Sequence, residues 1–81
     1  MTVEVRWSEV CTADVRSLPW RTAARVCAAV LTFARTGNGP VEQVSGGPPS
    51  LFCLRVQGAV ALFRVEAGEN AIFVHRIYAS R

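Results

Sequence analysis

The chain contains no lysine. All nine of its basic residues are arginine, set against six acidic residues, giving a formal net charge of +3 over 81 residues. Lysine carries a compact, strongly hydrated point charge, whereas arginine offers a planar fork that grips phosphate or carboxylate with paired bonds. Positive charge held wholly in guanidinium groups suits an anionic partner, either nucleic acid or an acidic protein surface. Cysteine is sparse and odd in number. Cys11, Cys27 and Cys53 lie far apart, with no CxxC pair and a single histidine. That pattern supports neither a disulfide framework nor a zinc site, so no metal or other cofactor is expected. The three thiols read as small core-filling side chains. Long hydrophobic runs are missing too: the longest mostly apolar stretch, residues 26–34, has nine residues, against about 20 needed to span a bilayer. The opening residues alternate polar with apolar around Val3, Val5 and Trp7, and carry no continuous secretion-signal core. A cytoplasmic protein with no membrane partner is expected.

Apolar residues are nevertheless plentiful, at 51% of the chain. That is enough for one small domain over residues 1–81, near the lower limit for a single core. Val3, Val5 and Trp7 alternate with Glu4 and Arg6 at the period of a half-buried strand. Ser8 is a candidate N-cap for a helix over residues 9–17, with Val10, Cys11, Val15 and Leu18 near its buried side. Pro19 suits the opening turn of a second helix, with Ser17 a possible cap. Its buried stripe is Ala23, Val26, Cys27, Val30, Leu31 and Ala34, and Gly37 with Pro40 stops it. Trp7 and Trp20 read as core and helix-packing residues. Residues 41–50 read as a Gly/Pro-rich loop.

Residues 51–78 form three apolar runs separated by Gln57-Gly58 and by residues 67–70, which predicts a strand meander. The expected class is α+β, in the order β-α-α-β-β-β. Two helices would pack on one face of a mainly antiparallel four-stranded sheet. A two-residue turn at Gln57-Gly58 pairs Val56 with Ala59 and each earlier residue with its later counterpart. One sheet face then collects Phe52, Leu54, Val56, Ala59, Ala61, Phe63 and Val65, all apolar, and should lie under the helices. The other collects Leu51, Cys53, Arg55, Val60, Leu62 and Arg64, joined by Phe73 and His75 from the last strand. No helix is left to cover this second face. Arginine among apolar side chains on an uncovered face predicts a binding surface where guanidinium groups cluster for an anion. The bland alternative pairs Arg55 and Arg64 with Glu66 or Glu69.

In order and spacing the chain resembles the RelE/ParE superfamily of toxins from bacterial type II toxin–antitoxin systems. The resemblance lies in the opening strand ending at Trp7, the stretch Asp14-Val-Arg-Ser-Leu-Pro19, the amphipathic helix ending before Gly37, and the hairpin Leu54-Arg-Val-Gln-Gly-Ala-Val-Ala-Leu-Phe-Arg-Val65. The family's hairpin aromatic and following arginine fall here on Ala59 and Val60. Its flanking arginines are kept as Arg55 and Arg64. The resemblance implies a RelE-like ribosome-dependent endoribonuclease that cuts mRNA and represses translation. Arg64, His75, Tyr78 and Arg81 are then the catalytic candidates. Arg55, Arg64, Arg76 and Arg81 are the candidate RNA phosphate contacts. The alternatives are a ParE-like toxin that inhibits DNA gyrase by binding alone, or a toxin-fold protein without catalysis. Implied partners are a cognate antitoxin and either the ribosome with its mRNA or gyrase. The implied assembly is a homodimer or a toxin–antitoxin hetero-oligomer.

Overall fold

The computed structural model describes residues 3–46 and 50–80. Strand β1 (Glu4–Trp7) leads into helices α1 (Glu9–Ser17) and α2 (Trp20–Thr36). Strands β2 (Val41–Ser45), β3 (Leu51–Val56), β4 (Ala59–Glu66) and β5 (Ala71–Ala79) follow, with one 3-10 turn over Ala67–Glu69 before β5. The class is α+β, as expected, but the sheet has five strands in the order β1-β5-β4-β3-β2. It is mixed, because β1 runs parallel to β5 while every other pair is antiparallel.

The fifth strand corrects the four-stranded expectation. Residues 41–45 read as loop because Val41 and Val44 are their only apolar members and show no alternation. As an edge strand, β2 is held by backbone pairing to β3 rather than by burial of its side chains. A bulge between Gln43 and Ser45 leaves Val44 turned to solvent.

Local chemistry explains the helix ends. The Ser8 hydroxyl oxygen accepts the Cys11 N–H at 2.9 Å and so caps α1. The same hydroxyl donates to the His75 carbonyl at 2.7 Å, which ties the helix start to β5. Leu18 is extended at ψ 152°, as the residue before a proline prefers. Pro19, not Ser17, is the N-cap of α2; the Ser17 hydroxyl donates to the Asp14 carbonyl instead. Gly37 closes α2 at φ 77°, its N–H bonded to the Phe33 carbonyl at 2.7 Å.

Both helices cover one sheet face. Cys11, Val26, Val30 and Ala34 pack against Leu54, Ala59, Ala61, Phe63, Ile72, Val74 and Ile77 to form the core. The hairpin register is the expected one at every pair from Val56↔Ala59 to Phe52↔Phe63. Gly58 turns it at φ 94°, and an added Cβ would meet Thr22 Cγ2 at 3.1 Å. The turn is therefore docked against the first turn of α2. Several assigned positions differ. Val10, Leu31 and Val65 are about half exposed rather than covered. Trp20 is 75% exposed rather than packed, its ring stacked under the Arg21 guanidinium. No helix among the described residues is long and apolar enough to cross a membrane.

β1 ends at Trp7, opposite Val74, so the outer edge of β5 continues without a strand partner. Helix α1 fills that place. Asp14 Oδ2 accepts the Ile77 backbone N–H at 3.0 Å and the Arg76 Nε–H at 2.9 Å. The Arg76 bond, then the Ile77 amide, hold the Asp14 carboxyl below its ordinary value. Asp14→Ala is expected to cost about 1–2 kcal/mol, counting only the bond to the Ile77 amide. Urea denaturation at pH 7 measures it, and Asp14→Asn, which keeps an acceptor, should lose less. The sign with pH follows from the lowered value. Asp14's contribution is complete above the ordinary aspartate range and is lost as pH falls through its lowered folded value.

Candidate anion-binding face

The second sheet face is left bare by both helices, and strand pairing lays its side chains out in rows. Arg55, Val60 and Tyr78 form the row beside the β3–β4 turn. Cys53, Leu62 and Arg76 form the middle row, and Leu51, Arg64 and Phe73 the far row. A bulge shifts the register between Leu62 and Phe63, so that Leu62 pairs with Arg76 and Phe63 with Val74. His75 is the extra residue of that bulge. Bulges re-aim side chains, and this one brings the imidazole to Arg64.

Four side chains meet at the far end. The Arg64 Nε–H donates to Glu66 Oε1 at 2.7 Å, and Arg64 Nη2 pairs with the same oxygen. Arg64 Nη1 lies 3.4 Å from His75 Nε2. The guanidinium carbon sits 4.4 Å from the centre of the Phe73 ring, and Phe73 packs against His75 at 5.1 Å between ring centres. Side chains of Arg64 and Glu66 are only 29% and 25% exposed, so this pair is more sheltered than a surface ion pair. The imidazole titrates below the ordinary histidine value. Partial burial is the main cause and the Arg64 charge the second, with Glu66 opposing them. Near neutral pH His75 is uncharged, and if Arg64 donates to Nε2 the ring proton sits on Nδ1.

The other candidates lie apart from this group. Arg55 is exposed and faces Glu42, with 3.6 Å between Nε and Oε2. Its cross-strand partner Val60 is four residues from Arg64 along β4, about 13 Å at ordinary strand rise. Arg76 is forked onto Asp14 and lies 5.2 Å over the Tyr78 ring. Tyr78 is 46% exposed at the turn end. Arg81 lies outside the described residues. The expected single cluster of guanidinium groups is therefore corrected: each described candidate arginine occupies its own row with its own carboxylate. Electrostatics separates them, since each like charge settles beside an opposite one.

Sequence reasoning missed one participant, Asp14, and named Glu66 only as one possible partner of Arg64. Glu66 was legible as a partner, because Arg64 and Glu66 are two apart on one strand and share a face. Asp14 as the anchor of Arg76 had no local signal, since 62 residues separate them.

A second surface lies on the helix side. Val3, Val5 and Trp7 of the first segment and Leu31, Ala34 and Arg35 of α2 line an open groove of about 390 Å³.

No protein-family model matches the chain, and no curated protein matches it. Solved structures do. A chain of the toxin–antitoxin complex RelBE2 from Mycobacterium tuberculosis superposes with a TM-score of 0.84 at 17% identity, covering 99% of this chain and 93% of that one. A chain of the archaeal RelE–RelB complex from Pyrococcus horikoshii OT3 gives 0.82 at 15% identity, over 98% and 96%. The isolated E. coli RelE toxin gives 0.75 at 12% identity, over 99% and 86%. The fold is that of RelE toxins, which bears out, for the architecture, the resemblance read from the sequence.

Proposed function

We propose that this chain is the toxin of a type II toxin–antitoxin system and that it cuts mRNA on the ribosome. The observation that carries this reading is the contact between Arg64 and a neutral His75 on the helix-free face of a RelE fold. RNA cleavage by the 2′-hydroxyl needs a base, a group that steadies charge on the phosphorane, and an acid for the leaving oxygen. Neutral imidazole at His75 takes the 2′-hydroxyl proton on Nε2 once Arg64 Nη1 leaves that nitrogen for the phosphate. Arg64 steadies the phosphorane oxygens. Arg81 donates a hydrogen bond to the leaving oxygen, which takes its proton from water, while Tyr78, in the turn-end row with Val60, joins Arg55 and Arg76 in contacting flanking RNA. The face is open and shallow, so the ribosome must supply most of the substrate positioning.

The natural partner in this reading is an antitoxin with an acidic, amphipathic segment. Its apolar side would fill the groove along Leu31 and Trp7, and its acidic side would meet Arg35. A second reading, gyrase inhibition by binding alone, is favoured by Val60 at the family's hairpin-arginine position.

Purified protein added to a translating extract should produce mRNA breaks in the ribosomal A site. Intact mRNA together with blocked gyrase supercoiling would select the second reading. The pH dependence is a further prediction. The single-turnover rate should be flat near pH 7 and fall as pH drops through the lowered His75 value, because protonated imidazole cannot accept a proton. A rate that rises on acidification to pH 5.5 would remove His75 as the base.

A further inference from the structure

We infer that Glu66 is a positioning residue that holds Arg64 in place and competes with an entering phosphate for its Nε–Nη2 edge. The inference rests on the proposed function for its substrate, but its evidence is geometric. Three sides of the Arg64 guanidinium are engaged within the chain. Nε and Nη2 meet Glu66 Oε1, Nη1 meets His75, and the flat face lies on Phe73. A carboxylate oxygen shared by Nε and Nη2 takes the place of a phosphate oxygen on that edge, because both anions suit the same donors. Phosphate can bind Arg64 through that edge only by displacing Glu66.

Other charges lie nearby: Arg6 on β1 is bonded to Glu69 at 2.8 Å and to Glu4 at 3.3 Å. Glu69 and Arg64, with the Arg6 charge a smaller influence, keep the Glu66 carboxyl below the ordinary glutamate value. The pair Arg64–Glu66 is neutral overall, so binding a phosphate there releases no net counterion. Removing the Glu66 charge leaves Arg64 as one uncompensated cation.

The test is Glu66→Gln, which keeps an amide oxygen to orient Arg64 and removes the competing charge. Inorganic phosphate, titrated while following the Arg64 Nε–H by NMR, should bind the variant several-fold more tightly than the parent chain. For a single-stranded oligoribonucleotide, the plot of log affinity against log salt should steepen by about 0.7, the value for one extra phosphate contact. Glu66→Asp, which keeps the charge, should behave like the parent, and Arg64→Ala with Glu66→Gln should abolish the gain. Glu66→Thr carries the same expectation as Glu66→Gln should the amide variant misfold. Unchanged or weaker phosphate binding and an unchanged slope in the charge-removing variants would overturn the inference, since a purely structural Glu66 would only lose affinity when replaced. The two readings fail separately. Tighter phosphate binding without mRNA cleavage by the parent chain would sink the nuclease proposal alone. Cleavage by the parent with unchanged phosphate binding in the variants would sink the Glu66 inference alone.

Discussion

Phe63→Ala is expected to destabilise the fold by about 3–5 kcal/mol, the usual range for removing a buried aromatic side chain. Phe63 is 1% exposed. Its ring stacks on Phe52 with centroids 5.7 Å apart and tilts against Phe33 at 5.4 Å. It therefore joins β3, β4 and α2 at one point, and the hole left by alanine has walls on three elements that cannot all close. A chain of 81 residues has a total stability of roughly 4–12 kcal/mol. The loss is between about a quarter and all of that stability, so the variant should unfold at a much lower urea concentration than the parent. Urea denaturation followed by circular dichroism measures the loss. Phe63→Leu refills part of the space and should stay folded with a smaller loss. A midpoint for Phe63→Ala equal to the parent's would mean that the core is organised elsewhere.

Where burial and local turn chemistry agree, the fold was legible from the sequence. The Gln57-Gly58 turn set the hairpin register, because shifting it by one residue would send either Phe52 and Leu54 or Phe63 to the bare face. Helix α2 was legible from its apolar stripe and its Gly37 stop. What escaped is decided by partners distant in sequence. Strand β2 exists because β3 offers an edge, not because Val41 and Val44 form a buried pattern. Trp20 opens α2 with its ring under the Arg21 guanidinium rather than against the sheet, a placement that no periodicity reveals. The His75 bulge depends on how β5 meets β4 after Phe63, and alternation alone placed His75 squarely opposite Leu62.

The candidate site was legible in part for the same reason. Alternation placed Arg55, Arg64 and Phe73 on the bare face correctly, since that follows from strand pairing. It could not say which carboxylate each guanidinium would choose. Asp14 reaches Arg76 only because α1 packs along the open edge of β5, and Glu42 reaches Arg55 only because β2 is a strand. The result is a face whose positive charges are matched one by one. Long-range attraction for an anion then comes from the net charge of +3, and local affinity depends on which pair opens most readily.

On the proposed nuclease reading, Arg64→Ala is expected to lower the rate of mRNA cleavage by about 10²–10³-fold, the usual loss when one charge-stabilising donor is removed. The loss should fall on the rate at saturating ribosomes, because charge builds on the phosphorane only in the transition state. Arg55→Ala is the informative comparison. Arg55 is exposed, pairs with Glu42 and lies across from Val60, which is about 13 Å from Arg64 by strand rise. Its removal should weaken binding a few-fold and leave the saturated rate nearly unchanged, as expected for a flanking phosphate contact. Arg64→Lys separates charge from geometry: ammonium keeps the charge but cannot bridge two oxygens in a plane, so most of the loss should persist. If Arg55→Ala lowers the saturated rate as much as Arg64→Ala does, the chemistry lies at the turn end of the face, beside Tyr78. The assignment of His75 as base then falls with it.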